Sequence, residues 1–159
     1  MKKKLIILTG PTAVGKTDLS IRLARTVGGE IISADSMQVY RRMDIGTAKI
    51  RPEEMDGVRH HLIDILEPTE SFNAFLFKEY ALKAANEIWE RGSIPIIVGG
   101  TGFYIQTLLY DIEFVKSDEN DGIRDELNKL YEEHGAAFLH DMLACLLYTS
   151  DAADDMQCV

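Results

Sequence analysis

Residues Gly10-Pro11-Thr12-Ala13-Val14-Gly15-Lys16-Thr17 follow the spacing G-x-x-x-x-G-K-[ST]. In such a loop, backbone N–H groups converge on a phosphate, and the helix opening within it adds partial positive charge. Lys16 supplies a mobile point charge, and the Thr17 hydroxyl can hold Mg²⁺. Gly10 and Gly15 allow close approach of the backbone to a ligand. The motif specifies a diphosphate or polyphosphate, not ATP. A nucleotide-hydrolysing loop of this kind is usually joined by an Asp at the end of another buried strand. The best strand for it, Ile94 to Val98, ends in Gly99-Gly100, and Asp64 is a weak substitute that reads as structural. NTP hydrolysis is therefore not expected.

Two further clusters fall after strand-like runs. The first is Ser33-Ala34-Asp35-Ser36-Met37-Gln38-Val39-Tyr40. Ligands of open α/β sheets lie beyond the carboxyl ends of the strands, which puts Asp35 near the phosphate loop. There a carboxylate can take a proton from a nucleophile or hold Mg²⁺; a lone loop Asp can equally do no more than make a turn. The following Asp44 to Lys49 stretch is small and polar, with Lys49 able to reach an anion. The second cluster is Gly99-Gly100-Thr101-Gly102-Phe103-Tyr104. Thr101 can donate to a diphosphate or to a second substrate, and a plain strand-to-helix turn is the competing reading.

The elements that must position these residues follow from the apolar pattern. Lys4 to Thr9 reads as a buried strand, and Lys16 to Val27 as a helix with Leu19, Leu23 and Val27 on one stripe, closed by Gly28-Gly29. Glu30 to Ser33 is a second strand, Met43 to Asp56 a loop, and Arg59 to Ile65 a weaker third strand, with His60 and His61 pointing to opposite faces. Ser71 can cap a helix over Phe72 to Arg91, whose Phe77, Ala81, Ala84, Ala85 and Ile88 form a packing face. The set Phe72, Phe75, Phe77, Tyr80 and Trp89 reads as core. Ile94 to Val98 is a fourth strand with Pro95 at its start, and Phe103 to Leu109 is helical. Asp118 to Glu133 reads as a solvated acidic helix with Ile123, Leu127, Leu130 and Tyr131 facing inward.

Short apolar strands alternating with helices predict an α/β fold with a mostly parallel sheet. With the phosphate loop, this is a P-loop NTPase-like three-layer architecture. Four strands make a small sheet, and the core reads as unfinished.

Composition limits the function classes. The chain has 159 residues, 17 Lys and Arg against 26 Asp and Glu, and a net charge of -9. Residues 1–117 carry 15 of each sign, so the acidity lies beyond them. An acidic total argues against a broad nucleic-acid-binding surface but leaves room for a local basic patch. Cys145 and Cys158 make no disulfide framework, and the four histidines lack ligand-like spacing, so zinc is not expected. No run nears the ~18 apolar residues of a spanning helix, and Leu5 to Leu8 is too short for a signal peptide. The cytoplasm is the default location. Oligomeric state is left open, with a monomer favoured.

GPTAVGKT, then DSMQVY followed by MDIGTAK, then IPIIVGGTGFY, in that order, resemble the bacterial tRNA dimethylallyltransferase (tRNA isopentenyltransferase) family over about residues 4–143. The resemblance implies transfer of a dimethylallyl group from dimethylallyl diphosphate to the exocyclic N6 amine of the adenosine 3′ of the tRNA anticodon, with Mg²⁺, and release of diphosphate. It implies that Thr12 to Thr17 bind the donor, and that Asp35 is the general base. It implies that Asp35, Ser36, Met37 and Gln38 contact tRNA, that Thr101 lies near the donor oxygen and the tRNA, and that Arg124 is a further tRNA contact. Members of that family are longer, with a basic segment and a catalytic Arg beyond this point. On this reading residues 1–117 are an incomplete donor-binding core and 118–144 begin a helical tRNA-binding insertion. Residues 145–159 form an out-of-pattern tail, as a frameshift or read-through would leave. A truncated prenyltransferase is thus the first expectation. A P-loop small-molecule or nucleotide kinase, and a diphosphate-binding module without turnover, are the alternatives.

Overall fold

The computed structural model describes residues 3–112 and 120–149, with helix side chains described over 122–145 in the last segment. The chain divides into two compact units, Met1–Phe114 and Val115–Val159. The expected boundary at residue 117 and the end of the tail lie outside the described residues. Among the described residues, no helix is long and apolar enough to cross a membrane.

In the first unit the order is β1 (Ile6–Thr9), α1 (Lys16–Val27), β2 (Gly29–Ser33), β3 (His60–His61), α2 (Ala74–Glu90), β4 (Ile94–Gly99) and α3 (Gly102–Leu109). The strands form one sheet in the order β1-β4-β2-β3, and every pairing is parallel. Period-2 alternation sorts their side chains onto two faces. Ile31 and Ile96 pack with Ile21 and Ala24 of α1. Ile32 and Ile97 pack with Phe77, Ala81, Ala84 and Ile88 of α2, and with Tyr104 and Ile105 of α3. The result is three layers, helix–sheet–helix, with both sheet faces buried. Phe77 is fully buried and stacks on Tyr104 at 4.7 Å between ring centroids. Phe72, Tyr80 and Trp89 pack against the same core. Pro95 is the second residue of β4 and is buried in the middle of the sheet, where an early position spares most of the ladder.

Four details depart from the sequence expectation. The α1 face that meets the sheet is Ser20, Ile21 and Ala24, while Leu19 is exposed; the small residues bring the helix close, and Ser20 satisfies its hydroxyl on the Thr17 carbonyl at 2.7 Å. The α2 cap is Asn73, whose Oδ1 accepts the Leu76 N–H at 3.0 Å, not Ser71. Strand β3 is only two residues long because Leu62 and Asp64 take left-handed φ of 63° and 54°. The loop 43–56 contains a 3-10 turn, Pro52–Met55.

In the second unit, α4 (Asn120–Thr149) runs well past the expected Glu133, with a break at Gly135, whose φ is 78°. Residues 118–119 of the expected helix lie outside the described residues. Ile123 and Tyr131, expected to face inward, are exposed. One broken helix supplies too little surface to enclose an apolar stripe of its own.

Candidate functional site

The phosphate loop joins β1 to α1. Gly10 (φ 155°), Ala13 (φ 64°) and Gly15 (φ 83°) give it the positive-φ backbone on which anion-binding turns are built. Gly15 is the N-cap of α1 and makes no side-chain cap, so the first N–H groups of a 12-residue helix stay available to an anion. The Lys16 ammonium folds back over the loop and donates to the carbonyls of Gly10, at 2.7 Å, and Pro11.

Parallel pairing brings the other chain segments to the same edge. Thr9 is opposite Gly99, and Ser33 is opposite Val98. Gly99 has Ala34 directly against it: a Cβ at 99 would lie 2.2 Å from the Ala34 carbonyl oxygen. This contact fixes the end of β4 beside the end of β2, one residue before Asp35.

A cleft of about 410 Å³ opens between these ends. The loop residues Thr12, Ala13, Gly15, Lys16 and Thr17 line one side, and Asp35 and Gln38 another. Gly46–Ala48, Gly99 and Gly100 complete the polar part. Asp35 Oδ1 accepts the backbone N–H of Met37 at 2.8 Å and of Gln38 at 3.2 Å, so Asp35 makes a turn and faces the cleft at once. Gln38 Oε1 accepts the Ser33 hydroxyl at 3.3 Å, and its amide donates to the Ala48 carbonyl at 3.2 Å, tying the 46–48 loop to β2. Burial, with Tyr40 and the Asp35 charge nearby, pushes the Tyr104 phenol above its ordinary pKa.

Of the expected site residues, Thr12, Ala13, Gly15, Lys16, Thr17, Asp35 and Gln38 are brought together in this cleft. Gly10, Pro11 and Val14 belong to the same loop without lining it, and Val14 is exposed. Ser36 and Met37 sit in the Asp35 turn outside the lining. Thr101 follows Gly100 as the N-cap of α3, half-buried, and caps nothing with its side chain. Arg124 is exposed on α4, in the other unit.

Two arrangements were not foreseen. Lys49 does not wait for an outside anion. Its ammonium is buried and bonds the Tyr40 carbonyl at 2.7 Å, Asp44 at 2.8 Å and Asp64 at 2.6 Å. Burial opposes the charge, and the two carboxylates outweigh it, so the Lys49 pKa is raised. On the far face of the sheet, Glu30 accepts both Arg91 guanidinium N–H groups, at 2.9 and 2.8 Å, and lies 2.8 Å from His61 Nε2. The Arg91 bonds, against burial and with help from His61, hold Glu30 at a pKa of about 2. A Glu opening an apolar strand was the available signal for this cluster. His60 lies on the opposite face, lines the cleft and bonds the Val58 carbonyl at 2.9 Å; burial holds it below the ordinary imidazole pKa.

Comparison with known proteins supplies the family. Residues 38–153 match the family model for IPP transferase. The tRNA dimethylallyltransferase of Lachnoclostridium phytofermentans is 62% identical over 87% of this chain and 44% of its own length. That of Staphylococcus carnosus is 54% identical over 98% of this chain and 49% of its own. The chain thus spans about half the length of the curated relatives it matches. The crystal structure of the full-length tRNA isopentenylpyrophosphate transferase from Bacillus halodurans superposes with a TM-score of 0.71 at 47% identity, covering 98% of this chain and 51% of that one. The Staphylococcus epidermidis tRNA delta(2)-isopentenylpyrophosphate transferase gives 0.68 at 53% identity, covering 81% of this chain and 42% of that one. The three-layer parallel architecture is the P-loop NTPase-like fold of these structures. On the matched residues and on these identities, the chain belongs to the IPP transferase family.

Proposed function

We propose that this chain carries the donor site of an enzyme that moves a dimethylallyl group from dimethylallyl diphosphate to the N6 amine of the adenosine 3′ of a tRNA anticodon. The observation that carries the reading is a single cleft with a diphosphate-type loop on one side and a carboxylate, Asp35, on another. In the reaction the donor's allylic C1–O bond breaks, a C1–N6 bond forms, one amine proton passes to Asp35, and diphosphate leaves. The loop N–H groups and Lys16 receive the charge that builds on the departing diphosphate, a preorganised electrostatic contribution. Asp35 is held by its own turn, so its carboxylate needs no reordering to take the proton. Ser36, Met37, Gln38, Thr101 and Arg124 are assigned to tRNA, with the adenine drawn out of its stack.

The residues fit Mg²⁺. Thr17, which carries a hydroxyl, and Asp35, which carries a carboxylate, both line the cleft, and these are oxygen donors of the kind an ion shared with substrate phosphates requires. When bound, the ion would neutralise charge on the leaving diphosphate.

The test is a chimera in which the second half of the Bacillus halodurans relative follows residue 144, incubated with unmodified tRNA, Mg²⁺ and radiolabelled donor. Label in tRNA at the adenosine beside the anticodon is the expected outcome. Label in tRNA at no position, with γ-phosphate of ATP transferred to a small molecule instead, would contradict the reading in favour of a kinase.

A further inference from the structure

Gly46, Thr47 and Ala48 line the cleft, yet little in their own stretch of chain holds them there. The one large apolar side chain of residues 44–48, Ile45, is 98% exposed and anchors nothing. Among the described residues, 44–48 make no backbone-to-backbone hydrogen bond. Gly46 (φ 80°) and Ala48 (φ 48°) are both left-handed, and a residue with a Cβ keeps that conformation only where its surroundings impose it. The Thr47 hydroxyl donates to the Met43 carbonyl at 2.7 Å, a bond that closes the turn on itself.

Lys49 supplies the outside constraint. Its side chain is only 5% exposed, and its ammonium donates to the Tyr40 carbonyl at 2.7 Å, to Asp44 at 2.8 Å and to Asp64 at 2.6 Å. Three acceptors exhaust the three N–H donors, so Lys49 has none left for a substrate. The acceptors come from the start of the loop, the segment after β2 and the kink after β3. Those last two are already joined: Tyr40 bridges to Leu66, and the Asp64 N–H donates to the Gln38 carbonyl at 3.1 Å. Lys49 thus fastens the loop to the chain that carries Asp35, and the Gln38 amide adds a second tie at the Ala48 carbonyl. Among the described residues, no hydrogen bond joins 44–49 to the phosphate loop.

We propose that Lys49 is a positioning residue for transfer: it holds the Gly46–Ala48 part of the cleft lining in fixed register with Asp35, so that the acceptor amine meets its base. The inference rests on the donor-site reading above and deepens it. Because the loop is bonded to the Asp35 segment and not to residues 10–17, loosening it disturbs the acceptor's geometry and spares the diphosphate's. A displacement of about 1 Å at a reacting group costs up to about 100-fold in rate.

Lys49→Met tests this, since it keeps the length of the buried stem and leaves behind two carboxylates, Asp44 and Asp64, that are 67% and 49% exposed to water. Dimethylallyl diphosphate affinity is measured by calorimetry in Mg²⁺ on the intact chain, and kcat and the tRNA KM on the chimera. The expected result is a donor affinity within about twofold of the parent and a kcat about 10- to 100-fold lower at saturating donor and tRNA. A kcat within about twofold of the parent would overturn the inference, as would a loss of donor affinity as large as the loss of kcat, the mark of a merely structural lysine. Should Lys49→Met not fold, Asp44→Ala decides, because it removes one acceptor from an exposed position: kcat should fall about threefold or more with donor affinity unchanged, and an unaltered kcat would overturn the inference. A parent protein that binds no donor would remove the donor site itself, and this inference with it, whereas an active parent matched by its Lys49 variant removes this inference alone.

Discussion

Gly99 and Ala34 touch so closely that a methyl group on Gly99 would lie 2.2 Å from the Ala34 carbonyl oxygen. Beyond their backbone pairing, this contact sets the end of the strand that carries the glycine pair directly against the strand that delivers Asp35. The site therefore depends on backbone packing as much as on its polar side chains. Gly99→Ala forces the two strand ends apart, at about 1–3 kcal/mol of overpacking. Denaturant unfolding should show that loss of stability, and dimethylallyl diphosphate should bind more weakly than the stability change alone explains.

Among the described residues, the Lys16 ammonium donates to the loop carbonyls of Gly10 and Pro11, and its side chain is half-buried. Lys16→Ala should therefore leave the unfolding midpoint nearly unchanged. Donor affinity should fall by about 10- to 100-fold, the usual worth of a charge-assisted hydrogen bond. Calorimetry on the two proteins checks both halves of this expectation.

Asp35→Asn keeps an oxygen to accept the Met37 and Gln38 N–H groups and so keeps the turn. It removes the proton acceptor. In the chimera described above, donor binding should be retained and transfer to tRNA should drop about 10²- to 10⁴-fold. Transfer within a few-fold of the parent protein would rule Asp35 out as the base.

Glu30 carries a pH signature. Its folded pKa of about 2 lies below the ordinary value of 4.5, so its contribution is fully present above that ordinary value. That contribution is lost as pH falls from about 4.5 through about 2, and amounts to at most about 3 kcal/mol. Glu30→Gln should be less stable than the parent at pH 7, and the gap should close toward pH 2. Urea midpoints measured across that range decide it.

The parts legible in the sequence were those fixed locally. The glycine–lysine loop, the helix after it and the four short apolar runs each announce themselves within a dozen residues. The short, continuously apolar strand runs between helices foretold the mostly parallel sheet, and the structure sorts Ile31 and Ile96 to one face and Ile32 and Ile97 to the other. What escaped was set by distant partners. β3 ends after His61 because its continuation bonds residues 38 and 39, which no local propensity encodes. Lys49, which the sequence leaves able to reach an anion, is consumed by Asp44 and Asp64 because folding brings residue 64 beside it. Leu19 satisfied the helical period yet lies exposed, since Ser20 and Ala24 are small enough to meet the sheet. Within the cleft, Asp35 was placed from its position after a strand and Gln38 from the family resemblance, whereas the presence of Ile63 in the lining depends on two backbone kinks invisible in residue types.

The most direct measurement is a calorimetric competition on the intact chain in Mg²⁺, with dimethylallyl diphosphate titrated first alone and then after saturation with inorganic diphosphate. The account predicts saturable one-to-one binding that inorganic diphosphate abolishes and that Lys16→Ala weakens. Binding of ATP with no detectable heat from dimethylallyl diphosphate would contradict it.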